Sequence, residues 1–97
     1  IQTVASRRGF RVLRNLGRHG VGRTLPEEPG HIPGRDVPGD QRRLHEGMVI
    51  TAEPSLTTHC NQADEAADGS SLVCRRGFGA QFEHTVVVTN GAPIIVT

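Results

Sequence analysis

Gly79-Ala80-Gln81-Phe82-Glu83-His84-Thr85-Val86-Val87-Val88-Thr89 is the stretch on which the fold turns. Three successive valines between threonines favour a strand. Period-two geometry sets Gln81, Glu83, Thr85 and Val87 on one face and Phe82, His84, Val86 and Val88 on the other. Glu83 is thereby expected inside the span of a sheet. An unpaired carboxylate buried there is costly, so it calls for a cationic partner or a metal ion. A salt-bridged or edge-exposed glutamate is the plainer alternative.

Outward from this run, Asn90-Gly91 is a strong hairpin signal, and Pro93-Ile94-Ile95-Val96-Thr97 reads as the returning edge strand. Upstream, Asp68-Gly69 predicts a turn before a short strand from Ser71 to Cys74, and Arg75-Arg76-Gly77 a second turn. His59 to Asp68 is polar and reads as a turn or short excursion. Gly47 opens a strand from Met48 to Thr51, which Glu53-Pro54 ends because proline forces its predecessor into an extended conformation and cannot continue the pairing. From Arg23 to Asp40 four prolines (Pro26, Pro29, Pro33, Pro38) and three glycines predict a long ordered loop. Phe10, Val12, Arg14 and Leu16 alternate as a strand that should end near Gly17, leaving His19 among glycines. Ile1 to Arg8 reads as the end of a helix that started upstream, capped by Gly9. The fold class expected is α+β, one N-terminal helix with a curved antiparallel sheet.

The chain has 97 residues, a net charge of +1 and 22% charged residues, which argues against a nucleic-acid footprint or a membrane patch. The residues read as neither a signal peptide nor an apolar run long enough to span a bilayer, so neither is expected here. All eleven basic residues are arginine, and three Phe with no Trp or Tyr leave little aromatic area for a core, so marginal stability is expected. Cys60 and Cys74 form no C-x-x-C pair and are expected to be free thiols in a reduced cytoplasm.

Three ordered blocks carry a family resemblance. Ala80-Gln81-Phe82-Glu83-His84-Thr85 resembles the C-terminal signature of type I methionine aminopeptidases. Arg18-His19-Gly20-Val21-Gly22-Arg23 with Glu27-Glu28-Pro29 resembles the family's histidine block, and Glu46-Gly47-Met48-Val49-Ile50-Thr51-Ala52-Glu53-Pro54 its first glutamate block. The resemblance implies the C-terminal half of a pita-bread catalytic domain, with residues 1–97 a single partial domain. It implies metal-dependent removal of N-terminal methionine from peptides and nascent chains, in the cytoplasm. His19, Glu53 and Glu83 would be ligands of two divalent ions (Co, Mn, Fe or Zn), with Glu83 bridging and Glu53 also the general base. Their separations are too long for a local metal loop, so only tertiary structure can assemble the site. His84 is expected to pack or hydrogen-bond instead.

The chain also departs from the pattern. The family's two aspartate ligands and a substrate-contacting histidine lie in the N-terminal half, which would be the chain's missing partner. Pro26 stands where the family has its second catalytic histidine, Leu25 replaces an aromatic of the methionine pocket, and Ser70 stands where a Trp is usual. The alternative function is therefore a non-catalytic pita-bread relative that binds a peptide or protein partner.

Overall fold

The computed structural model describes residues 1–23 and 27–97; the expectations for Leu25 and Pro26 lie outside the described residues. The chain opens with helix α1 (Gln2–Arg7), which buries Ala5 against the following strand. Its end is a Schellman motif: the Phe10 amide donates to the Ala5 carbonyl at 2.9 Å and the Gly9 amide to that of Ser6 at 3.1 Å. Gly9 closes the helix at φ +79, a conformation that a Cβ disfavours.

Strand β1 (Arg11–Val12) is shorter than the alternation of Phe10 to Leu16 predicts. Its continuation is diverted: the Arg14 amide donates to the Asn61 carbonyl, and the Asn15 side chain exchanges two hydrogen bonds with the backbone of Ala63. The chain then re-forms as β2 (Gly17–Gly20), so His19 lies in a strand and not in a glycine loop.

The largest correction concerns the proline-rich segment, which contains β3 (Glu27–Pro33) paired antiparallel with β2. Proline cannot donate to a ladder, but β3 is the outermost strand of its sheet, where Pro29 and Pro33 need no partner on the open side. β4 (Val49–Ala52) follows as expected within one residue, and the chain continues directly into β5 (Ser55–Thr57). β6 (Asp64–Glu65) and β7 (Leu72–Val73) make a small hairpin around Asp68-Gly69, where the Asp68 carboxylate accepts the amides of Ser70 and Ser71. β6 falls in the segment expected to be a turn or excursion.

The defining run is not one strand. It divides into β8 (Gly79–Gln81) and β9 (His84–Val87), which belong to different sheets, and Glu83 lies exposed between them. The desolvation cost assigned to a buried Glu83 therefore does not arise. β10 (Ile94–Ile95) returns along β9 as the Asn90-Gly91 signal predicts.

The large sheet has the order β10-β9-β4-β2-β3 and a smaller one the order β1-β5-β8. They share one ribbon. β4 pairs with β9 and β5 with β8, and the register is the same in both: Ala52 opposes His84, and Ser55 opposes Gln81. Glu53-Pro54 and Phe82-Glu83 span the gap, so both chains leave the large sheet at one level and Glu53 lies across the ribbon from Glu83. Bends of this kind let a strand pair turn a corner between sheets.

Burial is modest. Ala5, Val12, Leu13, Ile50 and Ala63 form the apolar core, while Thr51 and Thr57 are the most completely enclosed side chains. Phe78 and Phe82 stay 83% and 70% exposed and Phe10 is 42% exposed, which leaves all three aromatics out of the core. Cys60 and Cys74, expected as free thiols, are joined in a disulfide with Cα atoms 6.0 Å apart. The 61–73 excursion folds back as a hairpin and brings them together, which their spacing could not reveal.

Two predictions follow from this packing. A Cβ at Gly20 would overlap the Glu28 backbone carbonyl across the β2–β3 pair. Gly20→Ala should therefore destabilise by about 3 kcal/mol, read as a lower urea midpoint with an unchanged slope. Thiol labelling of the native, non-reduced protein should find neither cysteine reactive until reductant is added, and Cys74→Ser should lower stability by about 3 kcal/mol for a loop of this length.

Candidate metal centre

The site forms where β2 lies beside β4 at the level of the ribbon's corner. Gly20 opposes Ile50, and the Val21 amide donates to the Val49 carbonyl at 2.8 Å. One step along β2, the His19 amide does not bond to backbone; it donates to the Thr51 hydroxyl at 3.2 Å. On the other side of β2 the register with β3 shifts between Arg18 and Gly20. The extra residues, Glu28 to His31, lie on β3, and His19 is the one β2 residue opposite them.

The His19 ring Nδ1 is 2.8 Å from the Gly20 carbonyl oxygen. A carbonyl can only accept, so Nδ1 carries a proton, and in the neutral ring Nε2 presents its lone pair. That lone pair faces Glu53, whose Oε1 is 3.7 Å away, too far for a hydrogen bond. The Glu53 carboxylate is held elsewhere: Thr51 Oγ1 donates to Oε1 at 2.7 Å and Gln81 Nε2 to Oε2 at 3.2 Å. Side chains of His19 and Glu53 keep 26% and 16% of their surface exposed, so the pair is reachable from solvent.

Arg18, the next residue of β2, is buried and donates to the Pro33 carbonyl at 3.2 Å. Burial pushes its guanidinium below the ordinary pKa, and the negative charge of Glu53 acts in the opposite sense.

Of the residues singled out in sequence, His19 and Glu53 are brought together, whereas Glu83 is set across the ribbon and does not join them. Among the described residues no three His, Cys, Asp or Glu side chains gather into a group able to hold a metal ion. His84 stays out of the pair: its Nδ1 meets the Thr97 carbonyl, and its ring packs on Phe82 at 4.9 Å between centroids. Thr51 and Gln81 were not identified as site residues from sequence. The available signal was period-two geometry, which puts Thr51 on the same face as Glu53 and Gln81 on the same face as Glu83.

The donors present suit a divalent ion. An imidazole with one nitrogen fixed by a backbone carbonyl, facing a hydrogen-bonded carboxylate, is the usual preparation of metal-binding histidine and acid side chains. With one imidazole and one carboxylate converging, the set is incomplete.

Comparison with known proteins gives this pair its setting. The methionine aminopeptidase of Staphylococcus epidermidis is 35% identical over 98 residues, a match covering 100% of this chain and 39% of that protein. Methionine aminopeptidase 2 of Bacillus subtilis is 39% identical over 94 residues, covering 96% and 38% respectively. The crystal structure of the methionine aminopeptidase of Thermotoga maritima superposes with a TM-score of 0.86 at 34% identity, covering 98% of this chain and 38% of that one. The chain thus spans about two fifths of the length of these relatives, and its antiparallel sheets with one short helix are the pita-bread fold in the part they share. The model of metallopeptidase family M24 matches residues 1–90, which include His19, Glu53 and Glu83, and the chain is a member of that family.

Proposed function

We propose that this chain is the C-terminal half of the catalytic domain of a methionine aminopeptidase, acting in the cytoplasm on N-terminal methionyl peptides and nascent chains. The observation that carries this reading is the His19–Glu53 pair, with the imidazole Nδ1 held by the Gly20 carbonyl and Nε2 turned to the carboxylate. The substrate class comes from the relatives, which are named as methionine aminopeptidases. The Cys60–Cys74 disulfide is the one feature that speaks for a less reducing compartment.

His19, Glu53 and Glu83 would hold two divalent ions (Co, Mn, Fe or Zn) together with two aspartates absent from this chain. When bound, such ions supply Lewis acidity that makes a water nucleophilic at neutral pH and polarises the scissile carbonyl. Glu83 supports the bridging part of this reading by its position. The ribbon's register sets it at the same level as Glu53 on the opposing chain, exposed and outside both ladders.

The chain's own contribution to the reaction is proton handling and orientation. Glu53 takes the proton of the attacking water while its two oxygens stay fixed by Thr51 and Gln81. His19 is directed by the hydrogen bond from its Nδ1 to the Gly20 carbonyl. Pro26 supplies no imidazole where the family's second histidine would donate to the developing oxyanion, which lowers the rate expected of the site.

Two experiments test this reading in a protein completed by co-expression with the upstream half of the Bacillus subtilis relative and loaded with Mn²⁺. Release of methionine from a methionyl tripeptide is expected, with kcat reduced about 10²-fold by Glu53→Gln and KM little changed; undiminished turnover in that variant would remove Glu53 as the base. Restoring the donor with Pro26→His should raise kcat/KM at least about tenfold, since one oxyanion donor is typically worth about 10² to 10³ in rate. An unchanged value at matched metal loading would show that another group already serves.

A further inference from the structure

We propose that Thr51 and Gln81 are positioning residues that clamp Glu53 from two different strands and fix it relative to His19; this inference rests on the metal reading above. A glutamate carboxylate turns freely about its last torsion, which has no sharp rotamer wells. Here each oxygen accepts one donor, Thr51 Oγ1 on Oε1 and Gln81 Nε2 on Oε2, so the plane of the group is set while each oxygen keeps a lone pair for a ligand.

The two donors differ in what else they do. Thr51 is 1% exposed, and its hydroxyl has a single hydrogen. Two acceptors are in reach, the His19 carbonyl at 3.4 Å and Glu53 Oε1 at 2.7 Å; the hydrogen goes to the nearer, Glu53, and the oxygen accepts the His19 amide at 3.2 Å. One buried atom therefore ties the backbone of the imidazole-bearing strand to the carboxylate of the next strand. Gln81 comes from the far side of the ribbon, on β8, and is exposed, so its bond to Glu53 contributes little to folding. A purely structural role would not account for Gln81.

Donors that orient a ligand carboxylate typically alter metal affinity by about 10- to 100-fold when removed. The test uses the 97-residue chain itself, with Mn²⁺ as the probe and paramagnetic broadening of the His19 imidazole NMR signals as the readout; backbone amide spectra report folding in the same samples. The parent should bind weakly. Thr51→Val, which keeps the shape and loses the hydroxyl, should bind about tenfold more weakly, and Thr51→Ser should stay within about twofold of the parent. Gln81→Met should weaken binding several-fold with an unaltered amide spectrum. If Thr51→Val does not fold, Gln81→Met decides: weakened binding supports the clamp, and unchanged binding overturns it. Parent-like affinity in both Thr51→Val and Gln81→Met sinks the clamp alone. A parent whose His19 signals ignore Mn²⁺ overturns the metal reading and the clamp with it.

Discussion

The pairing of residues 49–57 with residues 79–87 is the constraint on which the rest of the structure depends. Its register persists across a corner where two residues on each chain leave the ladder, so one ribbon serves two sheets. Proline at position 54 has no amide to donate, which makes an uninterrupted ladder impossible at that level. The opposing chain breaks at the same level. The consequence is that four residues leave the ladders at the corner, Glu53, Pro54, Phe82 and Glu83, and the two acids of the ribbon are among them.

β2 completes this arrangement because it joins the large sheet beside β4 and brings His19 to the corner's edge. A regular ladder would have sent the His19 amide to backbone; the amide bonds to Thr51 Oγ1, and the register shift against β3 accompanies that change. The glycine at position 20 permits the close approach of the Glu28 carbonyl that keeps β3 attached through the irregularity. Local irregularity in β2 is thus held between β3 and the regularly paired β4–β9 ribbon, a setting in which a site can be rigid without being part of the ladder.

What could be read from sequence follows the range of the interactions involved. The valine run, the Asn90-Gly91 turn and the Gly9 cap are decided by neighbours a few residues away, and each was legible. β3 was not, because the cost of Pro29 and Pro33 depends on whether the strand is central or at an edge, which is a property of the sheet. The break at Phe82-Glu83 was hidden because both flanks favour strand, and only pairing with different neighbours separates them. Cys60 and Cys74 are brought together by the hairpin between them. Of the site, His19 and Glu53 were legible through motif resemblance, while Thr51 and Gln81 act through contacts that motifs do not express.

Thr51 also bears on how stability and function are divided in this chain. Valine matches threonine in shape and is at least as good a strand former, so a core position enclosed to 1% exposure has no packing reason to carry a hydroxyl. Burying that group incurs a desolvation cost which its two hydrogen bonds offset, and the net gain of one such bond is only about 1 kcal/mol. For the fold alone the hydroxyl is close to neutral. Its partners are what distinguish it: the amide of His19 on one side and the carboxylate of Glu53 on the other, the two groups of the candidate metal centre that the ribbon and β2 bring together. The core of the large sheet thus gives up apolar surface at the one point where a hydroxyl can hold both.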